Sequence, residues 1–157
     1  MTQTRVVRRI RASPEAVYRA LIDADAVAAW RVPDGMSALV REFDARVGGR
    51  FRVSLTYASP QRRGKTAAAT DTYHGRFVEL VPGERVVEEL EFETADPAFG
   101  GAMRIVTTLS DADGGAEVVM LHQGVPAGIS PHDNELGTRM ALDKLAALVE
   151  SRSAATS

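Results

Sequence analysis

At 157 residues with a net charge of −2, the chain is sized for one domain, and its charge balance offers no field for nucleic acid or an anionic membrane. It contains no cysteine, which excludes disulfides, thiol chemistry and Cys-based metal sites. The start carries Arg5, Arg8 and Arg9 but no apolar run, and nowhere is there the stretch of roughly 20 apolar residues that a membrane span needs, so a soluble, cytoplasmic protein is expected.

Thr4 to Arg11 alternates as a strand and runs into Ala12-Ser13-Pro14-Glu15. Ser13 can cap a helix, Pro14 suits its first position, and Glu15 sits where the helix dipole favours an anion. Val17, Leu21 and Ile22 give that short helix its apolar stripe. Asp23-Ala24-Asp25 opens a second short helix through Val27 and Trp30, stopped before Pro33. Two short helices after one strand, without a βαβ repeat, argue against a Rossmann-type sheet.

From Ala38 the chain reads as strands. Leu39 to Phe43 comes first, then Gly48-Gly49 marks a turn before Phe51 to Tyr57, which alternates cleanly. Ser59 to Ala69 is a polar, basic loop containing Arg62, Arg63 and Lys65, expected to be a solvated hairpin tip. Strands follow at about Asp71 to Val81, Glu84 to Thr94, Ala102 to Ser110 and Ala116 to Gln123, separated by strong turn chemistry. Short connections between neighbours make an antiparallel meander.

A long helix is predicted from about Pro131 to Glu150, with Thr138, Leu142, Leu145 and Val149 on one apolar face, and 151–157 as a fraying tail. The fold class is therefore α+β in one domain, with an ordered core of about 4–150: a curved antiparallel sheet of six to seven strands wrapped around a C-terminal helix. A sheet curved in this way leaves a gap that side chains fill incompletely, and such gaps are where small ligands bind.

The inward side chains are the lining candidates: Trp30, Phe51, Val53, Leu55, Tyr57, Tyr73, Phe77, Leu90, Phe92, Met103, Met120 and Met140, with Thr138 on the helix. Most are core residues, and a minority line a cavity. Tyr57, Tyr73 and His122 could supply orienting hydrogen bonds, and methionines suit an adaptable wall. His74, His122 and His132 lack the close spacing of a metal site. For His122 a hydrogen-bonded structural role leads, with a polar anchor in the pocket as the alternative and an acid/base role as the lesser one. Glu79 and Arg85 flank the Pro82-Gly83 turn and read as an ion pair bridging a hairpin, with a catalytic Glu79 as the lesser alternative. Arg63-Gly64-Lys65-Thr66 resembles the end of a phosphate-binding loop, but the glycine that motif needs five positions before Gly64 is Ser59. No catalytic residue, metal or cofactor is assigned.

Several ordered pieces resemble a known family. They are Ala12-Ser13-Pro14-Glu15 with Val17, Asp23 to Trp30 with Pro33 and Gly35-Met36, and Val47-Gly48-Gly49 with Phe51. Further along come Gly75-Arg76-Phe77-Val78-Glu79-Leu80-Val81-Pro82 with Glu84-Arg85, Leu121-His122-Gln123-Gly124, and Glu135, Gly137, Leu142 and Leu145. Over roughly residues 5–150 they resemble the homologues of the activator of heat shock protein 90 ATPase, in the START-like (helix-grip) superfamily. Two departures stand out: the family commonly has a Trp after the helix glycine, where this chain has Thr138, and the Ser59 to Ala69 loop is long.

The heavy Ala, Arg and Val usage suggests a GC-rich bacterial genome. The resemblance implies a helix-grip fold that binds or carries an apolar or aromatic molecule between sheet and helix. It leaves open a polyketide cyclase-like or hydrolase-type enzyme using the same cavity, and a chaperone-linked or regulatory interaction protein. A homodimer is also possible, and no nucleic-acid or membrane partner is expected.

Overall fold

A computed structural model describes residues 2–57 and 70–156. The basic loop with Arg62, Arg63 and Lys65, and the Arg63-Gly64-Lys65-Thr66 segment, lie outside the described residues. The elements in chain order are β1 (Thr2–Ile10), α1 (Pro14–Leu21), α2 (Ala24–Trp30), β2 (Met36–Phe43), β3 (Arg50–Tyr57), β4 (Thr70–Val81), β5 (Arg85–Phe92), β6 (Met103–Ala112), β7 (Gly115–Val125) and α3 (Pro131–Thr156).

The strands form one seven-stranded antiparallel sheet in the order β1-β7-β6-β5-β4-β3-β2. β2 to β7 are the expected meander, and β1 pairs beside β7. The helix-grip architecture is thus present, with two short helices after the first strand and a long one at the end. The local signals act as the sequence predicts. Ser13 Oγ accepts the Ala16 N–H at 3.1 Å, and Asp23 Oδ1 accepts the Asp25 N–H at 3.2 Å. At Pro82-Gly83, Glu84 N–H donates to Val81 O at 2.9 Å, and Gly83 takes φ +73°, the left-handed geometry such a turn demands. Glu79 accepts from Arg85 Nε at 2.8 Å across the same hairpin, the structural ion pair that its spacing predicts.

Alternation puts one side chain in two on the concave face. Val6 and Ile10 of β1, Met103, Ile105 and Leu109 of β6, and Ala116, Val118 and Met120 of β7 are buried there. One stretch is filled by an edge-to-face aromatic chain, Phe43–Phe77–Phe51–Tyr73–Phe92, with ring centroids 5.2–6.4 Å apart. Gly75 permits it, because a Cβ there would meet Phe51 Cζ at 2.8 Å and the Glu89 carbonyl still closer.

α3 differs from expectation in two ways. It continues past Glu150 to Thr156, since no proline or capping glycine stops it. The sequence expectation puts Leu142, Leu145 and Val149 opposite Phe51, Val53 and Leu55, whereas the backbone of α3 runs closest to β1, α2 and α1. Leu142, Leu145 and Val149 are nevertheless buried, at 0, 0 and 2% exposure. Leu145→Ala should cost about 2–5 kcal/mol in urea unfolding, as truncation of a well-packed leucine does, and a cost below about half a kcal/mol would contradict this packing.

Candidate functional site

Where α3 stands off from the middle of the sheet, a cavity of about 340 Å³ remains. Its floor comes from the sheet: Leu55, Tyr73, Leu90, Phe92, Met103, Ile105, Met120 and His122. Its walls come from the end of α2 and the segment after it (Trp30, Arg31, Val32, Pro33), and from Asp133, Asn134, Gly137, Thr138 and Ala141 of α3. Phe99, Gly128 and Ile129 close one end from two loops, which Gly128 N–H ties together by donating to Ala98 O at 2.6 Å.

Each wall is fixed by a polar anchor outside the apolar surface. The Trp30 indole N–H donates to Ala20 O at 2.9 Å, which locks the ring across the α1–α2 junction. Lys144 Nζ donates to Val32 O at 2.6 Å and lies 3.1 Å from Asp34, so α3 holds the segment after α2. Thr138 Oγ1 donates to Asn134 O at 2.7 Å within its own helix, so its hydroxyl is occupied.

The polar edge of the cavity is built around Arg31. Its Nη1 donates to Glu88 Oε1 at 2.9 Å and lies 2.7 Å from Oε2, with the two side chains only 16% and 6% exposed. Arg31 also lies over the Trp30 ring, 5.8 Å from its centroid. Burial works to lower the guanidinium pKa, but Glu88 and, more weakly, Tyr73 outweigh it, and the net shift is upward. Burial pushes the Tyr73 phenol up despite Arg31, so it stays a protonated donor.

His122 lies on the concave face of β7, in register with Thr4 on one side and Ile105 on the other. Asn134 Nδ2 donates to Thr4 Oγ1 and lies 3.1 Å from His122 Nδ1. With the amide turned this way Nδ1 accepts, so the ring proton is on Nε2. Burial, reinforced by the Arg31 charge and only partly opposed by the Asn134 hydrogen bond, lowers the imidazole pKa to about 4. His122 is therefore neutral at pH 7. Among the described residues, Tyr73 Oη, His122 Nε2 and Glu88 Oε2 are buried without a hydrogen-bond partner, and of these Glu88 Oε2 lies against the Arg31 charge at 2.7 Å.

A model of the family described as "Activator of Hsp90 ATPase homolog 1-like protein" matches residues 11–150. The chain belongs to this family. A solved structure from Chromobacterium violaceum is 36% identical, superposes with a TM-score of 0.85, and covers 94% of this chain and 96% of its own. An AHSA1 protein from Silicibacter pomeroyi (17% identity, TM-score 0.79, 96% and 99% covered) and a protein from Rhodobacter sphaeroides (19%, 0.78, 96% and 93%) share the fold. No curated protein matches the chain. In family and fold this is a domain of the ligand-binding type.

Of the residues singled out from the sequence, Trp30, Leu55, Tyr73, Leu90, Phe92, Met103, Met120, His122 and Thr138 line the cavity of this family member. Phe51, Val53 and Phe77 are buried in the core beside it, and Tyr57 and Met140 are half-buried outside its wall. Sequence reasoning missed Arg31, Glu88, Asn134, Ile105 and the loop residues Phe99 and Ile129. His132 is exposed at the start of α3, and His74 sits on the outer sheet face between Glu91 and Glu93 at 3.1 and 3.0 Å. A broader groove of about 520 Å³ surrounds that outer region. Several charges there pair across the strands: Arg52 with Glu93, and Arg76 and the neighbouring Arg104 with Glu89. Arg52 holds Glu93 down to about 2 against the opposing effect of burial, with His74 assisting. Among the described residues no group of three or more His, Asp or Glu side chains could hold a metal, and no helix is long and apolar enough to cross a membrane.

The neutral His122 gives a pH signature. Its pKa is about 6.5 unfolded and about 4 folded, so between those values only the unfolded chain binds the proton. The contribution is complete above pH 6.5 and is lost as pH falls towards 4. Between pH 7 and pH 5 the wild type should lose about 2 kcal/mol through this group, and His122→Gln should not. Urea unfolding at both pH values decides, and equal losses in the two proteins would show that His122 is not buried neutral. Release of Glu93 belongs to a lower window, below pH 4.5.

Proposed function

We propose that the protein binds or carries an apolar or aromatic small molecule in the cavity between α3, α2 and the sheet. The observation that carries this reading is the cavity itself: about 340 Å³, walled by Trp30, Leu55, Phe92, Phe99, Met103 and Met120, with few polar atoms. Ligand sites run from roughly 300 to 1,000 Å³ with this kind of lining, so the fit is to a compact molecule of up to three rings. The two methionines adapt their shape at little cost, which suits a wall that must close on a guest.

Binding is favoured over turnover by the state of the titratable groups. A general base works best with a pKa near the working pH, and His122, lowered to about 4, is far from it. Arg31 and Glu88 are spent on each other, which leaves Asp133 as the other charged group of the lining. An interaction role would call for a large exposed apolar patch, whereas among the described residues the large exposed apolar side chains, Val7, Leu39, Val47 and Leu136, belong to separate elements and loops.

Thr138 supplies the test. Relatives commonly carry a Trp at this place, and an indole would occupy roughly 150–250 Å² of surface that the threonine leaves to the cavity. N-phenyl-1-naphthylamine, an uncharged fluorescent probe, should bind the wild type saturably at one site. Thr138→Trp should weaken that binding at least about tenfold while leaving the melting temperature unchanged or raised. A Trp variant that binds equally well but is destabilised by several kcal/mol would mean that packing already fills the space.

A further inference from the structure

We infer that the ligand of this cavity is an uncharged molecule that carries acceptor oxygens, of the carbonyl or ether kind, on an otherwise apolar frame. The inference rests on the binding reading above and specifies its chemistry.

Two donors stand in the cavity wall without a partner in the protein: the Tyr73 hydroxyl and His122 Nε2. Both residues are at least nine-tenths buried, with Tyr73 6% and His122 9% exposed. A buried polar group with no hydrogen bond costs free energy, and nearly all such groups in folded proteins find one. The direction of each is set by its surroundings. His122 Nδ1 is engaged by Asn134, which leaves Nε2 as the N–H. Tyr73 is held in the aromatic chain between Phe51 and Phe92, which fixes the ring and leaves only its hydroxyl to make a polar contact. They stand on β4 and β7, with β5 and β6 between them, so they meet different points of a bound molecule. Both ask for an acceptor.

The charges in the wall argue against an anion. Arg31 is the cation at this edge, and Glu88 lies against it at 2.7 Å, so a carboxylate brought to the guanidinium would also meet a carboxylate. Asp133 adds a further acidic group to the lining, and neutral His122 offers no compensating charge. A neutral acceptor avoids that desolvation and satisfies the open donors.

Isothermal titration calorimetry with three matched probes tests this: 2-ethylnaphthalene (no oxygen), 2-acetonaphthone (a ketone) and 2-naphthoate (a carboxylate). The ketone should bind about tenfold or more tighter than the hydrocarbon, because a site built to donate discriminates against an analogue that cannot accept, and the carboxylate should bind most weakly. Tyr73→Phe, which keeps the ring, or His122→Leu, whichever removes the donor that the single ketone oxygen meets, should erode the ketone's advantage, and together they should abolish it. The probe series on the wild type is decisive even if the His122 variant does not fold. Equal affinity for ketone and hydrocarbon, or an advantage that survives in the double variant, would overturn the inference and leave the binding reading standing. Preferred binding of 2-naphthoate would do the same by showing an anion site. If none of the three binds, the binding reading fails and the inference with it.

Discussion

The ion pair between Arg31 and Glu88 is the contact on which the rest of the site depends. It joins the end of α2 to the concave face of β5, with both side chains nearly out of water. Such a pair contributes little net stability against an apolar replacement, but removing one partner leaves a stranded charge and costs about 3–5 kcal/mol. Its effect is therefore to specify geometry. It pins α2, and with it Trp30, at the rim of the cavity, and it keeps that rim electrically balanced. The same guanidinium helps hold His122 neutral, while burial keeps the Tyr73 phenol protonated against its pull.

Around this pair the domain is packed unevenly. Protein interiors approach crystal density, and a void of about 340 Å³ is space that ordinary packing would close. On one side of it the aromatic chain from Phe43 to Phe92 packs edge to face, and Leu142 and Leu145 of α3 are fully buried. On the other the sequence places Gly137, Thr138 and Ala141 on the helix face, where a larger side chain would fill the gap. The small residues and the buried open donors occur in one place, which links the shape of the cavity to its chemistry.

Most of the fold was legible because it is local. Period-two alternation marks the strands, Ser13 and Asp23 mark helix starts, and Pro82-Gly83 marks a turn, each by interactions within a few residues. The site was legible where it lies on the alternating inner face, as for Tyr73, Leu90, Phe92, Met103, Met120 and His122, and at Trp30 and Thr138 on the helices. Alternation tells which face a residue occupies but not which end of the concave surface, so Phe51, Val53 and Phe77 could not be separated from the true lining. Glu88 carried a readable signal. It takes the inward place between Val86 and Leu90, but among Glu89, Glu91 and Glu93 it looked like one more surface acid. Arg31, Phe99 and Ile129 gave no signal at all, because contacts distant in sequence place them.

The most direct test of the account is a crystal structure of the protein with 2-acetonaphthone. The naphthalene ring should lie between Trp30 and Met120, with the ketone oxygen about 2.7–3.2 Å from Tyr73 Oη or His122 Nε2. Density for the ketone in the charged groove around Gly75, or an inner cavity occupied by repacked side chains, would contradict it.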